Sequence, residues 1–254
     1  MKRIIIFSGT TEGRRLSELL SSYGMDVTVS VASEYGEEVM TQNSHIRVRV
    51  GRMEEQEIED FVKGSDTIVI DATHPFARLV TENIRQACMQ TGVRYIRLLR
   101  DKEDISGINA FARYFDTQEQ CREYLRDLPG KILLTTGAKE VGLYASDESI
   151  RKRLIVRVLP VEESINLCLR AGLNKEQIIA AKGPFTIEEN KKTMLNHNID
   201  IMITKESGAG SGLLDKVKAA AECGVKVLII RRPAEDGYCF DEVARVLFDE
   251  EKKT

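Results

Sequence analysis

A turn of small residues near the amino terminus has the composition of a phosphate-binding loop. Residues 8–14 read SGTTEGR, directly after the apolar run IIIF and before a stretch with helical spacing. Backbone N–H groups and the positive end of a helix dipole can hold a phosphate at such a turn. Of the dinucleotide fingerprint GxGxxG only Gly9 and Gly13 are glycine, while Thr10 and Thr11 offer hydroxyls. We predict phosphate binding here; the alternative is a tight strand-to-helix connection without a ligand.

A second polar cluster, residues 71–78 (DATHPFAR), follows the apolar run TIVI. Pro75 suits the first turn of the next helix, and Thr73 or His74 suits its N-cap. His74 is a candidate for direct work on a substrate, and a hydrogen-bonded structural role is the alternative. No metal site is expected, because no second His or Cys lies at ligand spacing.

Three turns in the second half of the chain repeat the order of strand, small polar turn and helix. They read LTTGAK at residues 134–139, AKGPF at 181–185 and TKESGAGSG at 204–212. Glycines in the last turn let a backbone approach a ligand closely, although a loop without a ligand would look the same.

Basic residues follow several different strands, and a parallel sheet would bring the three lysines of the second half to one edge, with two arginines added from the first half. Such a set suits an anionic ligand with several carboxylates or phosphates, and solvated surface lysines are the alternative. The residues are Arg14, Arg78, Lys139, Lys182 and Lys205.

The elements that must position these turns follow from hydrophobic patterning. Short Ile- and Val-rich runs alternate with stretches of helical spacing, which is typical of parallel α/β sheets. The predicted strands are residues 4–7, 27–31, 46–50, 67–70 and 95–98, then 131–135, 154–158, 177–181, 199–204 and 226–230. The clearest predicted helices are residues 11–22, 53–62 and 80–90.

Five predicted strands in each half give the fold class α/β, with two Rossmann-like, doubly wound parallel-sheet domains and a cleft between them. Weak periodicity at residues 99–116 places the boundary there. We therefore expect a dinucleotide-binding Rossmann-like domain at residues 1–110 and a C-terminal Rossmann-like domain at 111–254. Ligands of such sheets bind beyond the carboxyl ends of the strands, where all of these turns lie.

Composition excludes several classes of partner. The 254 residues carry a net charge of −3, so no overall field attracts nucleic acid or a membrane surface. The five cysteines form no CxxC pair and are expected to be reduced core thiols. The apolar run at the start is too short for a signal peptide, and no run is long enough to span a membrane, so a cytoplasmic location is expected.

The tip of the second predicted strand bears on the choice of cofactor. Ser33 is followed there by Glu34, and Arg52 follows the third strand. An acidic residue at this tip suits NAD, whereas Arg suits NADP. Because Glu34 is equally suited to capping the next helix, NADPH and NADH both stay open.

Six motifs in order resemble the precorrin-6A reductase family of corrin biosynthesis. They are GTTEGR at residues 9–14, VSVA at 29–32 with YG at 35–36, DATHPFA at 71–77, LTTG at 134–137, KGPF at 182–185 and TKESG at 204–208. The resemblance covers almost the whole chain. It implies an oxidoreductase of cobalamin biosynthesis that acts on a CH–CH group with NADPH or NADH. Its substrate would be precorrin-6A or the cobalt-containing counterpart, a tetrapyrrole with several carboxylates.

The resemblance also implies roles for individual residues. Hydride would pass from nicotinamide C4 to the macrocycle and a proton would add at the neighbouring carbon. No residue is named as the donor of this proton, water is an alternative source, and His74 is the catalytic candidate from its position alone. The cofactor-binding residues would be Gly9, Thr10, Thr11, Glu12 and Gly13 for pyrophosphate and ribose, Ser33 for the adenosine side, and Asp71, Ala72, Thr73 and Pro75 near the nicotinamide. The substrate-binding residues would be Arg14, Thr136, Gly137, Lys139, Lys182, Gly183, Lys205, Glu206, Ser207 and Gly208.

Two other functions compete with this interpretation. A non-catalytic nucleotide-binding or sensing module would need polar turns in one domain only, whereas both halves carry them. A methyltransferase that uses S-adenosylmethionine is disfavoured, because residues 9–13 lack its tighter glycine spacing. The sequence leaves the oligomeric state open.

Overall fold

The chain folds into two α/β units, each built on a parallel sheet. The computed structural model describes residues 2–32, 36–37, 46–101, 112–208 and 210–251. The first unit consists of Met1–Asp101 together with Ala234–Thr254, and the second is Lys102–Pro233.

The first unit has a five-stranded sheet in the order β3-β2-β1-β4-β5, and all neighbouring strands are parallel. Its elements are β1 (Arg3–Ser8), α1 (Thr11–Ser22), β2 (Asp26–Val31), β3 (Ile46–Val50), α2 (Glu55–Val62), β4 (Thr67–Ala72), α3 (Arg78–Thr91), β5 (Arg94–Arg97) and, from the end of the chain, α10 (Phe240–Glu251).

Helices cover both faces of this sheet, as the pattern of a doubly wound fold requires. Ile4 and Ile6 pack in one buried cluster with residues of α1 and α10, whereas Ile5 and Phe7 pack in another with residues of α2 and α3. Because alternate residues of a strand point to opposite faces, β1 is buried on both sides and reads as a continuous apolar run.

The extent of the second unit differs from the expected continuous range of residues 111–254. The last helix, α10, returns to the first sheet, where Val243, Ala244 and Leu247 join the buried cluster of Ile4 and Ile6. The segment before it runs beside β5, since Tyr238 N donates to Arg97 O at 2.9 Å. The sequence shows an amphipathic helix here but not which sheet its apolar face covers.

The second unit has a six-stranded parallel sheet in the order β6-β11-β10-β7-β8-β9. Its elements are β6 (Ala112–Phe115), α4 (Gln118–Leu125), β7 (Lys131–Leu134), α5 (Val141–Ala145), α6 (Glu148–Arg151), β8 (Leu154–Val158), α7 (Glu162–Arg170), β9 (Ile178–Ala180), α8 (Ile187–Asn196), β10 (Ile199–Lys205), α9 (Leu213–Cys223) and β11 (Lys226–Ile230). Single turns of 3₁₀ helix lie at Ala138–Glu140 and Lys175–Gln177.

The prediction of two parallel α/β domains is confirmed, with one strand added. β6 lies in the stretch predicted to be a connection. Its sequence, ARYF, has no apolar run, because an edge strand is covered less completely than a central one.

The expectation of five core thiols is wrong for two of them. Cys88, Cys121 and Cys168 are buried, whereas Cys223 is partly exposed and Cys239 is exposed. Within the described residues, no helix is long and apolar enough to cross a membrane.

Candidate functional site

The predicted phosphate-binding turn and the second polar cluster meet at the switch point of the first sheet. The strand order places β1 beside β4, and the chain departs from this pair in opposite directions. Gly9 N and Thr10 Oγ1 both donate to Ala72 O, each at 3.1 Å. Because open parallel sheets bind ligands at this position, the two predicted clusters form one candidate site.

The turn presents helix N-terminal amides. Thr10 is the N-cap of α1, and its side chain accepts from Gly13 N at 3.2 Å. The N–H groups of Thr11 and Glu12 lie in the first turn, where an α-helix supplies no internal acceptor. Gly9 is exposed and Thr10 and Thr11 are half-buried, so the backbone is open to an anion.

The two glycines of the turn have different surroundings. A Cβ built at Gly13 would lie 2.7 Å from Ala72 Cβ and 2.9 Å from Ser8 Oγ, so Gly13 permits close packing of α1 on β1 and β4. A Cβ at Gly9 would lie 3.1 Å from His74 N, at the surface of the site. Gly13 is therefore a packing residue, while Gly9 keeps the approach to the helix open.

Glu12 is buried at the start of α1 and faces a cation. Its Oε2 lies 3.4 Å from Arg100 Nε, and both side chains are less than a tenth exposed. This pair fixes the first turn of α1 against the chain that follows β5. The side chain of Glu12 therefore supports the turn from within.

Asp71 is the centre of a buried hydrogen-bond network. Its Oδ1 accepts from Thr73 N at 3.0 Å, from Thr73 Oγ1 at 2.6 Å and from Arg97 Nη1 at 2.8 Å. Its Oδ2 accepts from the Tyr95 hydroxyl at 2.9 Å. Arg97 also donates to both carboxylate oxygens of Glu235, at 2.9 and 3.1 Å. With no exposed surface, the Asp71 carboxylate holds the end of β4 in place.

The charge of Asp71 also affects its neighbours. Burial and the Asp71 carboxylate raise the pKa of the Tyr95 hydroxyl above its ordinary range. The same two causes raise the pKa of the Cys88 thiol to about 12. Both groups are therefore protonated at neutral pH.

The turn after β4 differs from the prediction. Pro75 does not lie in the first turn of a helix, because α3 begins at Arg78 with Ala77 as its N-cap and without a side-chain cap. Ala77 N donates to His74 O at 2.8 Å, so Pro75 occupies the second position of a β-turn, which suits its fixed φ. Phe76 N donates to His74 Nδ1 at 3.3 Å, and the imidazole is half-buried beside the site.

The tip of β2 approaches the residues after β3. Gly51 N donates to Val31 O at 2.9 Å, which brings the exposed Arg52 to this tip. Ser33, Glu34 and His45 lie outside the described residues.

In the second unit, the ends of β7 and β10 are joined by an ion pair. Lys205 Nζ lies 3.1 Å from Glu140 Oε1, and Glu140 belongs to the 3₁₀ turn after β7. Glu206 accepts from Arg232 N at 3.3 Å, and Ser207 Oγ donates to Lys205 O at 3.5 Å. The turns predicted after these two strands therefore lie side by side.

The remaining predicted substrate residues of the second unit lie at the same edge of this sheet. Lys139 follows β7 and Lys182 follows β9, and both are exposed. Gly137 and Gly208 have φ of 99° and 86°, which only glycine adopts readily. Thr136 is buried, and its hydroxyl has no hydrogen-bond partner among the described residues. Arg14, in the first unit, forms an i,i+4 pair with Glu18.

A cavity of about 500 Å³ in the second unit lies away from these turns. Its lining includes Lys131, Leu154 and His197, which are close to the starts of strands rather than their ends. Of the described residues, no group of His, Cys, Asp or Glu is arranged to hold a metal ion.

The chain is similar to known proteins over nearly its full length. The sequence profile of the family described as "Precorrin-6x reductase CbiJ/CobK" matches residues 3–248. A cobalt-precorrin-6A reductase of Priestia megaterium is 30% identical over 91% of this chain and 90% of its own length. Another, of Methanothermobacter thermautotrophicus, is 32% identical over 91% of this chain and 76% of its own length.

A solved structure agrees in fold. A structure titled "CobK precorrin-6A reductase" covers 98% of this chain and 97% of its own, with a TM-score of 0.78 and 23% identity. At that identity the likeness concerns the fold. Together with the six ordered motifs and the profile match, it leads to one conclusion: the chain belongs to the precorrin-6x reductase CbiJ/CobK family.

Proposed function

We propose that this protein reduces the macrocycle of cobalt-precorrin-6A or precorrin-6A in cobalamin biosynthesis, with NADPH or NADH as the hydride donor. The observation that carries the nucleotide dependence is the turn at the β1–β4 switch point. Its exposed Gly9 and the first-turn amides of α1 form a binding position for a pyrophosphate.

The residues of the first unit fit a dinucleotide in two ways. Gly9, Thr10 and Thr11 are accessible and would contact the pyrophosphate and ribose directly. Glu12, Gly13, Asp71 and Thr73 are buried and would act from beneath, by holding α1 and the end of β4 in place. We therefore divide the predicted cofactor residues into contacting and supporting groups.

The second unit offers surface suited to a tetrapyrrole rimmed by carboxylates. Lys139 and Lys182 are exposed at the carboxyl edge of its sheet, and Lys205 is partly exposed there. Leu159 and Val161, directly after β8, are each 45% exposed. Cations beside exposed apolar side chains suit an amphipathic ring with acidic substituents.

The chain's own contribution to the reaction is position and a proton. When bound, the reduced nicotinamide supplies the hydride that the macrocycle accepts. Phe76 N donates to His74 Nδ1 in the neutral imidazole, which leaves the ring proton on Nε2; uptake of a second proton at Nδ1 gives the imidazolium, the form that can donate from Nε2. We assign His74 as the group that holds a proton beside the nicotinamide position.

The test is anaerobic absorbance of NADPH and of NADH mixed with cobalt-precorrin-6A and, separately, with precorrin-6A. We expect cofactor oxidation that depends on both the enzyme and the tetrapyrrole. A sensing module would bind the cofactor without oxidising it, so binding without turnover in all four mixtures would refute the reductase proposal. The ratio of kcat/KM for NADPH to kcat/KM for NADH measures the cofactor preference. Arg52→Gln should lower kcat/KM for NADPH and leave that for NADH unchanged if Arg52 contacts the extra phosphate.

A further inference from the structure

Arg157, inside β8, has unusual surroundings for a cation. It is only 6% exposed, and its Nη2 donates to Asn190 Oδ1 at 2.9 Å. Its guanidinium carbon lies 4.0 Å from the centroid of the Phe185 ring. Its Nη1 is buried and has no hydrogen-bond partner within the described part of the chain.

No carboxylate among the described residues forms an ion pair with this guanidinium. The nearest acid that affects it, Glu189, is exposed and accepts from Thr186 N and Oγ1 in a capping box. Burial lowers the pKa of Arg157 to about 10, so the group stays charged at neutral pH. A buried cation without a counter-ion is costly unless an anion binds to it, and the Phe185 ring compensates only in part.

Two further buried hydroxyls without partners lie on the same part of this sheet. The register aligns Ile203 with Leu134 and Leu134 with Val156, so the next row contains Thr204 and Arg157 on either side of Thr135. Thr204 Oγ1 and Ser211 Oγ are both buried and lack a hydrogen-bond partner in the described residues. Native proteins satisfy nearly all such atoms, so these groups, at one end of the sheet, offer hydrogen-bonding capacity that polar atoms of a ligand could use.

The loop at residues 182–186 follows β9 and places the Phe185 ring over the guanidinium of Arg157. Its neighbour is the loop before α9, because a Cβ built at Gly212 would lie 4.0 Å from Pro184 Cβ. Lys182, Pro184 and Thr186 are exposed and Phe185 is half-buried. Moving this loop would lift the Phe185 ring from the guanidinium and uncover Arg157.

We propose that Arg157 is a carboxylate-binding residue that the loop at residues 182–186 covers. When this loop moves aside, the Arg157 guanidinium pairs with an acidic side chain of the tetrapyrrole. The hydroxyls of Thr204 and Ser211 complete the site. The proposal rests on the proposed function and deepens it by naming what selects the substrate. A guanidinium binds a planar carboxylate through parallel N–H groups, so Arg157 distinguishes an acidic macrocycle from an uncharged one.

The main variant is Arg157→Met, which keeps the volume of the side chain and removes the charge. Removing a buried charge that has no counter-ion favours folding, whereas Asn190 Oδ1 loses its buried hydrogen bond, which favours unfolding, so the variant should fold with a Tm near or moderately below that of wild type. We expect its KM for cobalt-precorrin-6A to rise at least about ten-fold, with cofactor KM within about two-fold of wild type. The substrate KM of Arg157→Lys should lie between that of wild type and that of Arg157→Met.

The matched control is Arg170→Gln, which also removes one positive charge from this unit. Arg170 is exposed in the last turn of α7, and a crossover helix ends near the start of the next strand, away from the site. Its KM values should match those of wild type. An unchanged substrate KM in folded Arg157→Met, or a rise in cofactor KM alone, would overturn the proposal while leaving the reductase function intact.

A second measurement separates this proposal from the function on which it rests. Fluorescence titration with uroporphyrin, a polycarboxylated tetrapyrrole, needs no turnover. If the wild type fails to oxidise either cofactor, the function is wrong, and the titration then decides the role of Arg157. Binding that Arg157→Met weakens about ten-fold or more supports an anion site. If wild type and Arg157→Met bind uroporphyrin equally, or if neither binds it, there is no anion site at Arg157.

Discussion

Gly13 and Ala72 are in such close contact that a Cβ at Gly13 would lie 2.7 Å from the Ala72 Cβ. Gly13 is in the first helix and Ala72 ends β4, so the contact fixes how deeply α1 packs on the switch point. A dinucleotide-binding helix needs this depth, because its N-terminal amides must reach a pyrophosphate beyond the strand ends. The last glycine of the turn thus acts through packing.

Gly13→Ala should destabilise the first unit. The new methyl group meets Ala72 Cβ and Ser8 Oγ, and overpacking of this kind costs about 1–3 kcal/mol. Urea unfolding, followed by far-UV circular dichroism, measures the loss. Gly142→Ala is the control, because a Cβ built there has open space in the described structure and should be neutral or stabilising. Equal stabilities for the two variants would show that α1 adjusts its position freely.

Gly9→Val should weaken cofactor binding more than it weakens the fold. Gly9 is exposed, but a Cβ there would lie 3.1 Å from His74 N and would stand beside the first-turn amides of α1. A branched side chain therefore blocks the approach of a pyrophosphate. We expect the Kd for NADPH or NADH to rise at least about ten-fold by fluorescence titration. The urea midpoint should fall only modestly, through the close contact with the backbone at His74. A Kd equal to that of wild type would place the cofactor elsewhere.

The central strands were predictable because they are buried on both faces. The runs at residues 154–158 and 226–230 have the bounds of β8 and β11, which are interior strands of the second sheet. A continuous apolar run in the sequence indicates such a strand directly, since a strand covered by helices on both sides consists mainly of apolar residues. The edge strand β6 and the return of α10 carry none, because each depends on contacts with residues distant in sequence.

The candidate site was predictable in position but less so in detail. The turn at Gly9 and the cluster at Asp71 were identified because polar residues directly follow apolar runs. Their division into accessible and buried groups was not, since burial depends on neighbours such as Arg97 and Arg100. Arg157 was missed because it lies inside a strand; a charged residue within an apolar run was its only signal.

Lys205→Ala should raise the KM for substrate while cofactor KM stays nearly constant. Lys205 ends β10, and its pairing with Glu140 leaves it partly exposed at the carboxyl edge of the second sheet. Loss of one charge-assisted contact corresponds to about a ten-fold change. Steady-state kinetics with each reactant varied in turn separate the two constants, and Lys205→Arg should recover part of the loss. A change in cofactor KM alone would assign Lys205 to the nucleotide.

His74→Gln should lower kcat without changing the KM for the cofactor. Gln keeps an acceptor near Phe76 N but cannot form the imidazolium that would donate a proton from His74 Nε2. General acid–base catalysis contributes about 100-fold or more, so kcat should fall by that order. The pH profile of kcat should also lose one limb. An unchanged kcat and profile would make His74 a structural residue and leave water as the proton source.

The Tyr95 hydroxyl should stabilise the network of Asp71. Tyr95→Phe leaves Asp71 Oδ2 without its 2.9 Å hydrogen bond in a fully buried position, which costs about 1–3 kcal/mol. Urea unfolding measures this cost. Tyr23→Phe is the control, since Tyr23 is 69% exposed. Equal losses in both variants would mean that solvent replaces the Tyr95 hydroxyl.

Stability should fall as the pH rises above the range of ordinary thiols. Burial raises the pKa of Cys88 and of Cys121 to about 12, whereas an unfolded thiol ionises near about 8.5. Between these values the folded state binds more protons than the unfolded state, so the free energy of unfolding decreases with pH. At about pH 9.5 each thiol should account for about 1 kcal/mol relative to about pH 7. Cys88→Ala should remove about half of this thiol-dependent decrease in urea titrations. An equal pH dependence in the variant would show that the Cys88 thiol is accessible to solvent, because a buried thiol cannot ionise without that cost.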